Sequence, residues 1–191
     1  MRKTGSASLA FFYMDRMDDK KKDLRNLLTS LLYQLYDQSD SYLNIFSNFY
    51  SAHRRGSQYP SDAALKQCLK DMLRCPGQAP TYILVDGVDE CPRTSGRLSP
   101  RGDVLTLIEE LVGLYLPNLH VCISSRPEID IKAIIHLSPF LSISLHDERG
   151  QIQEIIDYVR SIVDSNPGMR NWTVEDKELV IDELSKKADG M

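Results

Sequence analysis

Thr81-Tyr-Ile-Leu-Val-Asp-Gly-Val-Asp-Glu-Cys-Pro92 is the stretch that decides the fold of this chain. Its first five residues, 81–85, are β-branched, aromatic or aliphatic, with a proline before them and Asp86-Gly87 after them. This pattern predicts a short strand that is buried on both faces. Strands of that kind belong to parallel sheets covered by helices, so the stretch predicts an α/β fold.

Three carboxylates follow the strand at once, at Asp86, Asp89 and Glu90. Ligands of open α/β sheets bind at the carboxyl ends of the strands, which is where these acids would lie. Clustered carboxylates near a core need a cation, a metal or a proton to neutralise them. The stretch therefore predicts a cation site. The alternative is a strand that simply ends in an aspartate at a turn, as many α/β strands do.

Strand and helix patterns alternate along the rest of the chain. Further strands are predicted at 9–15, 119–125 and 141–145. Apolar residues recur every three or four positions in seven segments, which predicts helices after Asp23, around 42–50, after Ser61, after Asp103, at 131–137, at 152–162 and after Thr173. The stretch 92–102, rich in Pro, Ser, Gly and Arg, is predicted to be a mobile loop beside the acids. This alternation favours a parallel sheet with right-handed crossovers.

A second chemical signal lies where the strand at 119–125 ends in Ser-Ser and is followed by Arg126-Pro127. An arginine at the same sheet edge as Asp86 can face the terminal phosphate of a nucleotide. The alternative is a structural ion pair between Arg126 and Asp86 or Asp89. The residues alone leave both roles open.

Composition places the chain among ordinary soluble globular proteins. Its 191 residues are 42% hydrophobic and 26% charged, and 23 basic against 27 acidic residues leave a net charge of −4. That balance gives no reason to expect nucleic acid as a partner. No stretch approaches the roughly 20 apolar residues of a membrane span, and no secretory signal pattern is present, so we expect a cytoplasmic protein. The four cysteines lack a metal-site spacing, which indicates reduced thiols, and Cys122 is predicted to be a small core residue.

Four strings of the chain are similar to one family. The string Ile83 to Pro92 resembles the Walker B segment of NACHT-type signal-transduction (STAND) P-loop NTPases, especially fungal, NLR-like proteins with a nephrocystin-like N-terminal domain. The strings 122–127 and 188–191 are similar to the same family, and so is the aromatic strand 9–15 with the leucine-rich helix after it. The resemblance implies a three-layer parallel sheet of the P-loop NTPase type. It also implies a switch that binds ATP or GTP with Mg²⁺, changes conformation and self-assembles.

The same resemblance implies roles for four residues. Asp86 would hold Mg²⁺ through water, and Asp89 and Glu90 would polarise or position the attacking water. Arg126 would sense the γ-phosphate. In this interpretation Asp89 and Glu90 are catalytic residues. Asp86 binds the metal, and Asp86 and Arg126 together bind the nucleotide cofactor.

One part of the family pattern is missing. A Walker A loop, Gly-x-x-x-x-Gly-Lys-Ser/Thr, occurs nowhere in the 191 residues. Without its backbone N–H groups and its lysine, the acids alone would hold a triphosphate poorly. We therefore expect an incomplete sheet without the P-loop strand, which in the family lies between the strands at 119–125 and 141–145. The chain is expected to be a truncated fragment that alone neither hydrolyses ATP nor binds it tightly, and whether it uses a cofactor in isolation is open.

Residues 1–146 are predicted to form this partial NTPase core, and residues 147–191 the start of a following helical region. An unpaired sheet edge invites association, so self-association or binding to other protein domains is expected, together with nucleotide in the complete protein. Two other functions remain open. One is a degenerate, non-catalytic protein-interaction scaffold, and the other is an unrelated Mg²⁺-dependent hydrolase that uses the three acids directly.

Overall fold

The computed structural model describes residues 6–53, 56–93, 99–137, 141, 143 and 149–187. The chain divides into two compact units, Met1–Phe140 and Leu141–Met191. The first unit contains, in order, β1 (Ser8–Tyr13), α1 (Leu24–Leu35), α2 (Asp40–Ala52), α3 (Asp62–Leu73), β2 (Thr81–Asp86), a 3₁₀ turn (Val88–Glu90), α4 (Pro100–Val112), β3 (Leu119–Ile123) and α5 (Ile129–Leu137). In the second unit α6 (Arg149–Ser165) packs on α7 (Val174–Lys187), with a 3₁₀ turn (Pro167–Met169) between them.

Side-chain caps begin several helices where the sequence predicts them. Asp23 accepts a hydrogen bond from the backbone N–H of Asn26 at 2.8 Å, which satisfies a donor in the first turn of α1. Thr173 caps α7: the Asp176 N–H donates to the threonine hydroxyl at 3.1 Å, and that hydroxyl donates to the Asp176 carboxylate at 2.7 Å. The predicted helices are confirmed at all seven places, although some of their ends differ.

The start of α4 is the clearest such difference. The sequence predicts a loop up to residue 102 and a helix capped by Asp103, but the helix begins at Pro100 with Ser99 as its N-cap. Proline suits the first helical position because it lacks the N–H that would be unpaired there. Arg101 therefore lies in a helix and is buried, with only 2% of its surface exposed. Residues 94–98 of the predicted loop lie outside the described residues.

The sheet has three parallel strands in the order β1-β2-β3. Ala10 pairs with Ile83, and Ile83 with Val121, so neighbouring strands are in close register. The α/β class with a parallel sheet is confirmed, whereas the P-loop NTPase type stays a prediction. The predicted strand at 141–145 lies largely outside the described residues; Leu141 and Ile143, which are described, belong to no regular element.

One face of the sheet carries the core. Ala10, Ile83 and Val85 are buried there, with α1 packed on β1 and α4 packed on β3. The other face, here called the open face, is formed by Leu9, Phe11, Tyr13, Tyr82, Leu84, Asp86, His120 and Cys122. Phe11, Tyr82 and Leu84 are about two-fifths exposed (40%, 41% and 40%).

The open face corrects two expectations. The strand at 81–85 is not buried on both faces, and Cys122 is exposed rather than a core residue. The reason is the strand order. A sheet that grows in one direction through right-handed crossovers places its connecting helices on the same side, and the opposite side is covered only where the order reverses. The described helices of the first unit therefore form a single layer and not the two helical layers of a three-layer fold.

The two edges of the sheet differ. At β1, the Gln38 side chain accepts from the Leu9 N–H at 2.9 Å and donates to the Leu9 carbonyl at 2.8 Å. Gln34 bonds Phe11 in the same way, at 3.1 Å and 2.7 Å. The two side-chain amides replace the hydrogen bonds of a neighbouring strand, so the outward N–H and C=O groups of Leu9 and Phe11 are paired. β3 has no second strand neighbour among the described residues, which leaves its outer edge open.

None of the described helices is both long and apolar enough to cross a membrane.

Candidate functional site

The acid turn, residues 86–90, leaves the carboxyl end of the central strand. Gly87 has a φ of 69°, in the left-handed region that glycine adopts without strain. This bend directs the chain from β2 into the 3₁₀ turn. As a result the carboxylates separate: Asp86 is exposed, whereas Asp89 is 7% exposed. The local sequence, a strand followed by Asp-Gly, thus sets two acids in different environments.

Ser124, directly after β3, fastens the acid turn to the neighbouring strand. Its hydroxyl donates to Oδ1 of Asp86 and accepts from the Gly87 N–H at 3.1 Å. Its backbone carbonyl accepts from the Val88 N–H at 3.0 Å, and its own N–H donates to the Val85 carbonyl at 3.0 Å. These bonds orient the Asp86 carboxylate at the edge of the sheet. Nothing local in the sequence predicts this role of Ser124, because its partners Gly87 and Asp86 lie 37 and 38 residues away.

Asp89 and Arg126 form a pair. Oδ1 of Asp89 accepts from the backbone N–H of Arg126 at 2.9 Å, and Oδ2 lies 3.6 Å from Nε of the guanidinium. The arginine side chain is nevertheless 78% exposed. The structure thus contains the ion pair that the sequence left open as one of two roles for Arg126. A role of Asp89 in positioning water and of Arg126 in sensing phosphate stays a prediction.

Of the carboxylates of the acid turn, Asp86 is the one that is placed to bind Mg²⁺. Within the described part of the chain, no cluster of three or more His, Cys, Asp or Glu residues could hold a metal ion. Mg²⁺ does not require such a cage, because in nucleotide sites it uses one or two carboxylates with phosphates and waters. Asp86 fits this mode because its carboxylate is exposed at the sheet edge. Asp89 does not, because both of its oxygens face Arg126. Glu90 is half-buried and forms no salt bridge with any described residue.

Arg101 is a residue of the site that the sequence pattern does not predict. From α4 its Nε donates to the Cys91 carbonyl at 3.0 Å and its Nη2 to the Asp89 carbonyl at 2.6 Å. Its Nη1 lies 3.5 Å from carboxylate oxygens of both Glu128 and Asp130. One buried guanidinium therefore contacts the acid turn and the segment that leads into α5. The Ser-Pro pair before it was the available signal that a helix, not a loop, starts there.

The loop after β1 also reaches the acid turn. Nη2 of Arg16 donates to the Asp89 carbonyl at 3.3 Å. The Cys91 thiol donates to the Lys22 carbonyl at 3.1 Å, and burial raises the pKa of that thiol to about 11. Cys91 is therefore a structural contact and not a nucleophile at neutral pH. The loop after β1 and the segment after β3 therefore both contact the acid turn, which itself follows β2.

Residues 1–126 match the family described as Nephrocystin 3, N-terminal. The chain belongs to this family. The matched region spans all three strands and the acid turn, and it ends at Arg126, so nearly all of the site lies within it. The nephrocystin-like part of the resemblance is confirmed, whereas the NACHT class and the fungal origin stay predictions. Comparison with curated proteins and with solved structures gave no match.

Proposed function

We propose that this nephrocystin 3 N-terminal chain supplies the Mg²⁺-binding acid turn of a NACHT-type signal-transduction NTPase, a nucleotide-gated switch. The observation that carries the proposal is the exposed Asp86 carboxylate at the carboxyl end of the central strand, oriented by Ser124. In open α/β sheets this is the edge where ligands bind. Mg²⁺ bound there would neutralise phosphate charge.

Arg126 is the proposed phosphate sensor. Its guanidinium is 78% exposed and pairs with Asp89 at 3.6 Å. A pair with so exposed a partner is worth at most about 1 kcal/mol, so it is easily exchanged for a phosphate. The backbone N–H of Arg126 keeps its separate bond to Asp89, which holds the main chain while the side chain moves. Asp89 would thus anchor the sensor, and Glu90 is the acid of the turn that remains for positioning water.

Tight nucleotide binding needs more than the acid turn. The 191 residues contain no Walker A string, so no glycine-rich loop with its lysine is available to cradle the phosphates. We expect the chain alone to bind a divalent cation weakly at Asp86 and to have neither ATPase activity nor micromolar affinity for MgATP.

The test uses Mn²⁺ as a paramagnetic probe of the 191-residue chain. We expect Mn²⁺ to broaden the amide resonances of Gly87 and Ser124 selectively, at millimolar affinity. Asp86→Asn should abolish the broadening. Asp37→Asn, which removes an exposed carboxylate at the end of α1, should leave it unchanged. Calorimetric titration with MgATP should give no saturable heat at micromolar concentrations.

Broadening that survives Asp86→Asn would refute Asp86 as the metal ligand. Saturable, Asp86-dependent binding of MgATP at micromolar concentrations would instead refute the requirement for a separate phosphate loop. The two results are independent because one follows the cation and the other the nucleotide.

A second function, a non-catalytic protein-interaction scaffold, is favoured by one observation. The open face presents Phe11, Tyr82 and Leu84 to solvent, and parallel sheets normally have both faces covered. This function requires no cation at Asp86. It therefore predicts that Asp86→Asn leaves partner binding unchanged, whereas the switch predicts that partner binding depends on Asp86.

A further inference from the structure

We propose that Arg101 is a positioning residue that couples the acid turn to the segment 126–130 and thereby to α5. The coupling would set how far a movement of Arg126 is transmitted along the chain. In that sense the inference rests on the proposed nucleotide-gated switch. The physical coupling itself can be measured without any nucleotide.

The burial of Arg101 is the first observation. Arg101 and Asp89 are the two charged residues that are buried in the described part of the chain, at 2% and 7% exposure. A buried guanidinium is strongly unfavourable unless its donors and its charge are satisfied. Here both conditions are met within the site, because Arg101 donates to the Asp89 carbonyl and lies against two carboxylates.

The division of its contacts is the second observation. Nε and Nη2 bond the backbone carbonyls of Cys91 and Asp89, on the acid turn side. Nη1 faces Glu128 and Asp130, at the start of α5. The guanidinium is planar and rigid, so a shift of one set of partners changes the geometry of the other set. Lysine has a similar charge but cannot make both sets of contacts at once.

The position of Arg126 between these contacts is the third observation. Arg126 is bonded to the Asp89 side chain, while Arg101 holds the Asp89 main chain. When the Arg126 side chain leaves Asp89, Arg101 still ties the acid turn to Glu128 and Asp130. Arg101 therefore keeps the acid turn and the segment 126–130 connected when the Arg126 side chain moves.

Hydrogen exchange of the 191-residue chain, without metal or nucleotide, tests the coupling. Arg101→Lys should speed exchange of the Glu90 and Arg126 amides about 10- to 100-fold, because hydrogen bonds to a charged group are lost. The double variant Glu128→Gln/Asp130→Asn should speed the same two amides although it leaves the acid turn chemically intact. Glu109→Gln, on the same helix, should change neither.

Three results would overturn the proposal. One is a uniform rise in exchange that includes the Ile83 amide of β2, since this would mean that Arg101 supports only global stability. Another is an unchanged Glu90 amide in the double variant, since the two segments would then be independent. The third is unchanged exchange in Arg101→Lys. If that variant does not fold, the double variant decides the question. Loss of Mn²⁺ binding at Asp86 would refute the proposed function and leave this coupling unaffected.

Discussion

Cys122 differs from the other cysteines by its position in the sheet. It lies on the open face and is exposed, whereas Cys68 and Cys91 are buried in the core. Burial disfavours the thiolate and raises the pKa of Cys68 to about 12 and that of Cys91 to about 11. Since the thiolate is the reactive form, the buried thiols should be inert at neutral pH.

Thiol labelling tests this difference at single residues. At about pH 8 a maleimide should modify Cys122 in the native chain, and Cys68 and Cys91 only after unfolding. Peptide mass spectrometry would identify the labelled sites, and Cys122→Ser should remove the native label apart from any slower reaction at the half-buried Cys75. Protection of Cys122 in the native chain would mean that something covers the open face.

The sequence predicted single residues well where their neighbours in the chain determine their positions. Asp86 and Asp89 could be placed because Asp86 ends a strand and Asp89 lies two residues after the glycine that follows it. Arg101 could not, because its partner Asp130 is 29 residues away and only the folded chain brings them together. The same holds for the pairing of Arg126 with Asp89, which the sequence left as one of two possibilities.

At the scale of elements, a clasp joins α3 to α4. Nζ of Lys66 lies 3.3 Å from Oε1 of Glu110, and Nζ of Lys70 lies 2.8 Å from Oε2. Burial raises the pKa of the Glu110 carboxyl, but the bond with Lys70 and the charge of Lys66 together outweigh it, so the net pKa is lowered. The clasp therefore stabilises the pairing of the two helices only while Glu110 is ionised.

The pH dependence of stability follows from the lowered pKa of the Glu110 carboxyl. A carboxyl whose pKa is lowered by folding adds stability that is complete above its ordinary value of 4.5 and is lost as the pH falls through the folded value. Glu110→Gln should therefore lower the free energy of unfolding near neutral pH and make its decline below about pH 4.5 shallower. Urea unfolding at a series of pH values measures both. Glu109→Gln is the matched control, and an identical pH profile in the two variants would contradict the clasp.

Helices were easier to predict than the environment of the strands. Leucines at helical spacing and caps such as Asp23 are local signals, so the start of α1 after Asp23 could be predicted. In β2 every residue from 81 to 85 fits a buried strand, and nothing local distinguishes its two faces. Their difference depends on the strand order β1-β2-β3, which places the connecting helices on one side.

At the scale of the whole molecule, the free edge of β3 and the open face beside it favour binding of a partner at that side of the sheet. The edge of β1 is closed by Gln34 and Gln38, whereas the edge of β3 is open among the described residues. The open face adjoins that free edge. A partner that adds to β3 could therefore also cover Leu84 and Cys122, and both contacts would lower the exposed apolar area.

We therefore expect the isolated chain to self-associate or to be poorly soluble. Size-exclusion chromatography with light scattering should give a mass above that of a monomer, which rises with protein concentration. Phe11→Thr/Leu84→Thr should shift the chain towards monomer, because it removes apolar surface from the open face while threonine still suits a strand. Leu43→Gln is the control: Leu43 is 43% exposed, much like Leu84 at 40%, but it lies in α2. A stable, compact monomer of the unmodified chain would refute association through this face. An equal effect of the control variant would show that association does not depend on the sheet.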